Sequence, residues 1–475
     1  MPNFSSGCSV FKGCSMSELQ STQLPISLVR PPGYKRKAGN ANAVPAQRNA
    51  TGRPVRVRRI RPLYAPLSLL KRSGLGPLPR CNQILSGIRS YKGQGSKTHA
   101  CISNDIPYLI NAFWRPNAGG SHPIQKGPYH ACFSGNLAAF CIERFSPVGG
   151  IVHDPCGGRG TTAIQSALMG RIAYSTDINP LSLMMTRPRL RAITTDDIRA
   201  KLKTLDLQLK PIEHEDMLVF FHPQTLQQLE AMRRALAQFA PVDDAHPDPI
   251  WDWIRMAILF RLTGHTSAYL SRETVQPNAP TPTIAAQRRR NERSGLTAPE
   301  RDLDEIIIAR SKGFLRHGCV PNTHGHKLAV GAAWDTPWIA DGTVDLTLTS
   351  PPFADVVDYA KDNWVRAWFA GVSLEDVGFS HHKSLTDWTN MVRRILIEQI
   401  RVVKPGGYIA IEVGEIRGGQ VELERFVWDA AEGLPCKRIC VVVNQQAFTK
   451  SAHTLGVTNG ENGTNSNRIV ILQRS

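Results

Sequence analysis

Short apolar runs and longer amphipathic stretches take turns along most of the chain. Gly150-Ile151-Val152, Arg171 to Thr176, Lys327 to Gly331 and VDLTL (Val344 to Leu348) have the length and β-branched content of buried parallel strands. Between them lie helical patterns: Phe133 to Cys141, the segment ending at Met169, and Leu181 to Met185. From about Pro188 to Thr323 the alternation breaks, and amphipathic helices over Gln224 to Phe239 and Trp251 to Leu262 take over. Beyond Thr349 the pattern returns to helix at Leu385 to Val403, which is stopped by Lys404-Pro405-Gly406-Gly407. Tyr408 to Val413, Ile439 to Val443 and Arg468 to Leu472 then read as closing strands. The pattern predicts an α/β fold with a mostly parallel sheet, interrupted by a helical insertion.

Charge divides the chain differently. The whole carries a net +18, but residues 1 to 118 hold 18 Lys/Arg against only Glu18 and Asp105, a net of +16. The remaining residues hold 39 basic and 37 acidic side chains, a net of +2. The first segment is rich in Pro, Gly, Ser and Arg, with GRPVRVRRIRP (Gly52 to Pro62) as its densest run, and is expected to be largely disordered and to attract phosphates. An organelle transit peptide is the other reading of such a composition. Four segments follow: the basic extension 1–118, an α/β part 119–190, the insertion 191–324 and a second α/β part 325–475. No run of 18 apolar residues or secretory core occurs, so a soluble, cytoplasmic protein with no membrane partner is expected. The ten cysteines form no CxxC pair, which argues against structural zinc and for reduced thiols.

Two loops carry the chemistry. DPCGGRGTT (Asp154 to Thr162) stands between a strand and a helix, where glycines let a ligand approach the backbone and the helix N-terminus faces it. It is not GxGxxG, which disfavours a dinucleotide. Asp177 ends the next strand, and 177 minus 154 is 23, close to the ~20 residues at which an acid meets ribose hydroxyls in such folds. The second loop is TSPPFADV (Thr349 to Val356). Its tandem prolines end a strand, Ser350 offers a hydroxyl, the Pro351 carbonyl is left unpaired and Phe353 presents a flat face, a combination suited to a planar ring bearing an amine.

These motifs resemble those of S-adenosylmethionine-dependent, site-specific DNA amino-methyltransferases of bacteria and phages. DPCGGRGTT is similar to that family's glycine loop and TSPPF to its catalytic motif, the serine being closer to the cytosine-N4 type than to the adenine-N6 type, which more often has Asp or Asn there. HPIQKGPY (His122 to Tyr129), DINPLS (Asp177 to Ser182), WIRMAILFRLTGH (Trp253 to His265), DVVDYAKDNWVRAWF (Asp355 to Phe369), VVKPGGYIAIEVGE (Val402 to Glu415) and GTNSNRIV (Gly463 to Val470) extend the likeness in order. The resemblance implies a Rossmann-like class I methyltransferase fold with an inserted target-recognition region, S-adenosylmethionine as cofactor and double-stranded DNA as partner, with a separately acting restriction endonuclease as a further one. It implies cofactor contacts from Lys126, Asp154, Pro155, Gly158, Gly160, Thr161, Thr162 and Asp177, and catalysis by Ser350, Pro351, Pro352 and Phe353. Arg288, Arg289, Arg290 and Arg293, on a basic helix in the insertion, are candidate DNA contacts. No metal site is expected. Pro155-Cys156 resembles the nucleophile of cytosine-C5 methylases, but it lies inside the cofactor loop and is assigned to packing. Ala332 stands where the family usually has an acid, and Asp335 comes three residues later. An adenine-N6 DNA or RNA methyltransferase, or a degenerate methylase that only binds nucleic acid, remain the alternatives.

Overall fold

The computed structural model describes residues 80–93, 96–114, 122–129, 132–244, 246–272, 274, 281–295, 297–321, 323–354, 358–380, 382–417, 420–444 and 467–475. Among the described residues the first elements are α1 (Cys81–Arg89), β1 (Lys92–Gly93), β2 (Ser96–Lys97), β3 (His99–Ser103) and β4 (Ile106–Asn111). This corrects the boundary placed at 118. β4 buries Ile106, Tyr108 and Leu109 and pairs in parallel with a strand near the C-terminus, while α1 buries Ile84 and Ile88. The apolar spacing of this short stretch is diluted when averaged with the basic residues before it. The expected disorder and phosphate attraction of residues 1–79 lie outside the described residues.

The α/β body continues through α2 (Gly135–Phe145), β5 (Ile151–Asp154), α3 (Thr161–Leu168), β6 (Ile172–Asp177) and α4 (Pro180–Thr186). The insertion follows as α5 (Thr195–Lys203), α6 (Pro223–Phe239), α7 (Pro249–Leu259), α8 (Ile284–Ser294) and α9 (Leu303–Leu315). Then come β7 (Lys327–Val330), β8 (Val344–Thr349), α10 (Tyr359–Ala370), α11 (Leu385–Val402), β9 (Val403–Val413), β10 (Glu415–Ile416), β11 (Val421–Glu422), α12 (Leu423–Ala430), β12 (Cys436–Asn444) and β13 (Asn467–Arg474).

Nine strands form one sheet in the order β3-β4-β12-β13-β9-β8-β5-β6-β7. The run β9-β8-β5-β6-β7 is entirely parallel, and β13 lies antiparallel to both β9 and β12. This is the mostly parallel, Rossmann-like sheet that the strand pattern predicts. All six residues of β8 are buried, as suits a central strand with helices on both faces. From β5 the chain steps one way to β6 and β7, and from β8 the other way to β9. The carboxyl ends of β5 and β8 therefore flank the topological switch point, where open α/β sheets leave a crevice for ligands.

Two differences from the sequence reading bear on the site. β9 begins at Val403 and runs through the Lys-Pro-Gly-Gly stretch, because Val344 pairs with Val403 but Leu346 pairs with Tyr408, so residues 404–407 are accommodated as an irregularity of the strand edge. The insertion is also not sealed at its ends. Its core, with Trp253, Ile258, Phe260 and Phe314, is continuous with Leu181 and Met185 of α4 and with Val365 and Phe369 of α10. Both of those helices begin beside the switch point, so insertion and site share packing.

Candidate active site

A cleft of about 730 Å³, measured out to its open mouth, lies at the switch point. Pro155, Cys156, Gly158, Asp177 and Asn179 line one end, and Ser350 and Pro352 the other. The two loops singled out in the sequence, nearly 200 residues apart, thus face one space. Tyr129, Ala332, Trp334, Tyr359 and Phe379 supply further walls, with Tyr359 and Phe379 stacked at 6.4 Å and 20°. None of these aromatic residues is assigned from sequence, because they come from four separate loops or helix starts.

At the first end the loop is held by carboxylates. Asp177 accepts from the Gly158 N–H at 2.6 Å and from the Asn179 N–H at 2.9 Å, so both its oxygens are engaged by backbone. Burial pushes its carboxyl up to about 6 against the pull of these bonds. Asp154 is turned away from the cleft: Thr349 Oγ1 and the Cys156 N–H donate to its Oδ1 at 2.7 and 3.1 Å. It ties the glycine loop to the end of β8, and burial raises it to about 6 as well. Gly160 has φ of 81°, and a Cβ there would lie 2.4 Å from Thr186 Oγ1, so a larger residue fails on both conformation and space.

The other residues carried over from the resemblance take varied places. Thr161 and Thr162 are buried at the start of α3, where Thr162 donates to the Leu348 carbonyl at 3.3 Å, and neither lines the cleft. The Lys126 side chain is exposed and is also not part of the lining. Cys156 packs against the core, as expected, and also forms a wall of the cleft, with its thiol pushed up by burial beside Asp154 and Asp177.

At the second end Pro351 is buried, and the Pro352 carbonyl accepts from Trp388 Nε1 at 2.7 Å. Phe353 is half-buried against the core that holds Trp388 and Met391 and is not among the residues that line the cleft. Ser350 does line it and lies near Glu412 of β9, whose carboxyl it acts to lower. Glu412 is 4% exposed and accepts from Asn467 Nδ2 at 2.7 Å. Burial lifts its carboxyl to about 7, with Asn467 and Ser350 acting in the opposite direction. A carboxyl balanced near neutrality and close to the loop hydroxyl is the group best suited here to take a proton. Sequence reading misses it. The signal is one acid inside an otherwise apolar strand, YIAIEV, whose pattern otherwise announces only sheet.

The basic helix α8 exposes Arg288, Arg289, Arg290 and Arg293, buries only Gln287, and is fastened by Asn291 Nδ2 to the Val219 carbonyl at 2.8 Å. Its arginines do not line the cleft. No helix among the described residues is long and apolar enough to cross a membrane.

Comparison with known proteins bears on part of the chain. A family model for DNA methylases of the N6/N4 type matches residues 86–184. No curated protein sequence matches. Similar solved structures include TrmN from Thermus thermophilus, 11% identical, with 72% of this chain and 49% of that one covered at a TM-score of 0.28. Others are the rRNA methyltransferase AviRa from Streptomyces viridochromogenes (12%; 74% and 89%; 0.27) and geranyl diphosphate C-methyltransferase from Streptomyces coelicolor A3(2) (9%; 71% and 78%; 0.28). The alignment thus spans about half the length of TrmN, and at these scores the likenesses carry no argument; the Rossmann-like fold stands on the strand order itself. Residues 86–184, from the second half of α1 into α4, are similar to DNA methylases of the N6/N4 type.

Proposed function

We propose that this protein is an S-adenosylmethionine-dependent DNA methyltransferase acting on the exocyclic N4 amine of cytosine. The observation that carries the reading is one cleft with a glycine loop and Asp177 at one end and the Ser350–Glu412 pair at the other. The cofactor fits what is present. Gly158 has φ of 51° and leaves the backbone open to a ligand, and Asn179 lines the cleft with its Nδ2 buried and without a partner among the described residues. Gly158, Asp177 and Asn179 would hold the adenosyl part. When bound, S-adenosylmethionine supplies the electrophilic methyl group.

The protein's part is to bring an amine to that group and remove its proton. A target base inside a duplex must be turned out of the stack at a cost of a few kcal/mol. Tyr359 and Phe379 offer a stacked aromatic wall in the cleft, and stacking on such side chains returns about 1–3 kcal/mol per base. Phe353, assigned that role from sequence, packs against the core instead and is not part of the lining. Ser350 would accept from the amine and orient its nitrogen. As the new N–C bond forms and the C–S bond breaks, the surplus amine proton passes through Ser350 to Glu412. No covalent bond between protein and base is needed, in keeping with a Cys156 thiol held protonated. The serine, where adenine-type relatives more often have Asp or Asn, favours cytosine. Transfer of label from S-adenosylmethionine into duplex DNA, followed by nucleoside analysis, tests this: label in N4-methylcytosine is expected. Label in N6-methyladenine or RNA would change the substrate, and no label with folded, cofactor-binding protein would end the enzymatic reading.

A further inference from the structure

Beside the cleft, Arg159, Arg189 and Arg310 reach the HPIQKGPY loop from three segments, and Arg261 comes within electrostatic reach of Arg310. Arg159 of the glycine loop donates to the Gly127 carbonyl at 2.7 Å, and Arg189, just after α4, to the Ile124 carbonyl at 3.1 Å. Arg310 of α9 donates to the Lys126 carbonyl and stacks 3.6 Å from the Phe314 ring centre. Arg261, just after α7, lies over Tyr269 at 4.8 Å and within electrostatic reach of Arg310. Among the described residues none of the four forms an ion pair with an acid. The positive charges instead act on one another: Arg189 feels Arg159 and Arg310, and burial together with Arg261 brings Arg310 down to about 9.

Carbonyl capping alone does not account for this. Neutral donors would satisfy the same carbonyls without gathering like charges in a partly buried place, an arrangement that is unfavourable unless a counter-charge joins it. None of the four lines the cleft, so the counter-charge belongs to something larger than the cofactor. Arg189 is fully buried and only adds potential, whereas Arg159, Arg261 and Arg310 are part exposed, beside the exposed stretch 266–268.

We propose that Arg159, Arg261 and Arg310 form a phosphate-binding surface for the duplex DNA strand that flanks the turned-out base. This rests on the reading of the protein as a DNA methyltransferase and gives it a contact next to the cleft, distinct from the arginines of α8. The surface joins the glycine loop to the insertion, so the strand is gripped where base and cofactor must meet.

The test is equilibrium binding of a fluorescent DNA duplex by the full chain across a range of NaCl, with S-adenosylmethionine affinity measured in parallel. Each phosphate contact contributes about 0.9 to the slope of log affinity against log salt. Arg261→Gln with Arg310→Gln should make that slope shallower by about two and weaken duplex binding at least tenfold near physiological salt. Arg261→Lys with Arg310→Lys should retain most of the slope, which a purely structural role through stacking and capping would not allow. An unchanged slope in a folded Gln variant overturns the proposal. So does loss of cofactor affinity with duplex binding intact, which would assign the arginines to the cofactor carboxylate, or tighter binding of single-stranded RNA that responds to the same substitutions. None of these readouts involves methyl transfer. A salt slope that falls as expected in a protein that labels no DNA would sink the proposed reaction and leave the surface standing.

Discussion

The two ends of the cleft are built on opposite plans. At the glycine-loop end the acids spend themselves on the protein: Asp177 holds two backbone N–H groups and Asp154 locks the loop to β8. At the TSPPF end Glu412 lies near a hydroxyl that lines the cleft and accepts from Asn467, and its charge is not committed to holding the glycine loop. One end is a mould whose acids maintain shape; the other sets a cleft hydroxyl near a buried acid raised to about 7, the pair proposed to react. A substitution at the first should therefore change binding, and one at the second should change rate.

The largest effect should come from Glu412→Gln. The amide keeps the size of the side chain but cannot take a proton, and loss of a positioned base lowers rates by about 10²- to 10⁴-fold. Single-turnover methylation of duplex DNA at saturating S-adenosylmethionine should show that drop, with cofactor affinity within about twofold of the parent. A variant that transfers methyl at the parent rate would remove Glu412 from the chemistry.

Asp177→Asn probes the mould. Its amide can accept one of the two backbone N–H groups but meets the other with a donor, so the loop around Gly158 should open. Hydrogen bonds to charged groups contribute about 1.5–3 kcal/mol, which sets the expected loss of cofactor affinity at roughly 10- to 100-fold by calorimetry. If saturating cofactor restores the parent single-turnover rate, the two ends are separable as described. A rate that remains low would mean that Asp177 reaches into the reaction.

Much of this is written in the sequence, for identifiable reasons. The strand-loop-helix at Asp154 to Met169 and the proline stop after VDLTL are local events, each set by a few neighbouring residues, and the structure places both at the switch point. What is not legible depends on register or on distant segments. β4 is hidden by the charge around it and gains its place only by pairing with β12. Glu412 reaches Ser350 because β9 lies beside β8 with Ile411 opposite Thr349, a register that no local pattern announces. Tyr129, Trp334, Tyr359 and Phe379 converge only in three dimensions. Conversely, Phe353 and Lys126 belong to recognisable motifs, yet one ring packs against the core and the other side chain is exposed.

A smaller effect is expected from Ser350→Ala. It removes one neutral link in the path from amine to Glu412, and ordinary hydrogen bonds contribute about 0.5–1.5 kcal/mol, so the rate should fall by roughly 3- to 10-fold with little change in melting temperature. Phe353→Ala should differ in kind. Because that ring packs against the core, melting temperature should drop with the rate, whereas Phe379→Ala should lower the rate while melting stays nearer the parent value. The reverse order would return the stacking role to Phe353.

The gentlest probe is pH, and it acts on the two ends in different windows. Asp154 and Asp177 are raised from 3.8 to about 6, and Glu412 from 4.5 to about 7. A carboxyl whose folded value lies above its unfolded value binds its proton more tightly when folded, so its stabilising contribution is complete below the unfolded value and is lost as pH rises through the folded one. The melting temperature should therefore decline between about pH 4 and 7 and level off above. Methyl transfer should run the other way, because Glu412 accepts a proton only as the carboxylate, and the rate should rise through about pH 7. Glu412→Gln should flatten the upper part of the stability decline, toward about pH 7, and Asp177→Asn the lower part, toward about pH 6. Parallel thermal melts of the parent and both variants would check this. A parent profile that is flat from about pH 4 to 7 would mean that these acids are not held protonated by the fold, and with it would go the contrast between a structural and a reactive end.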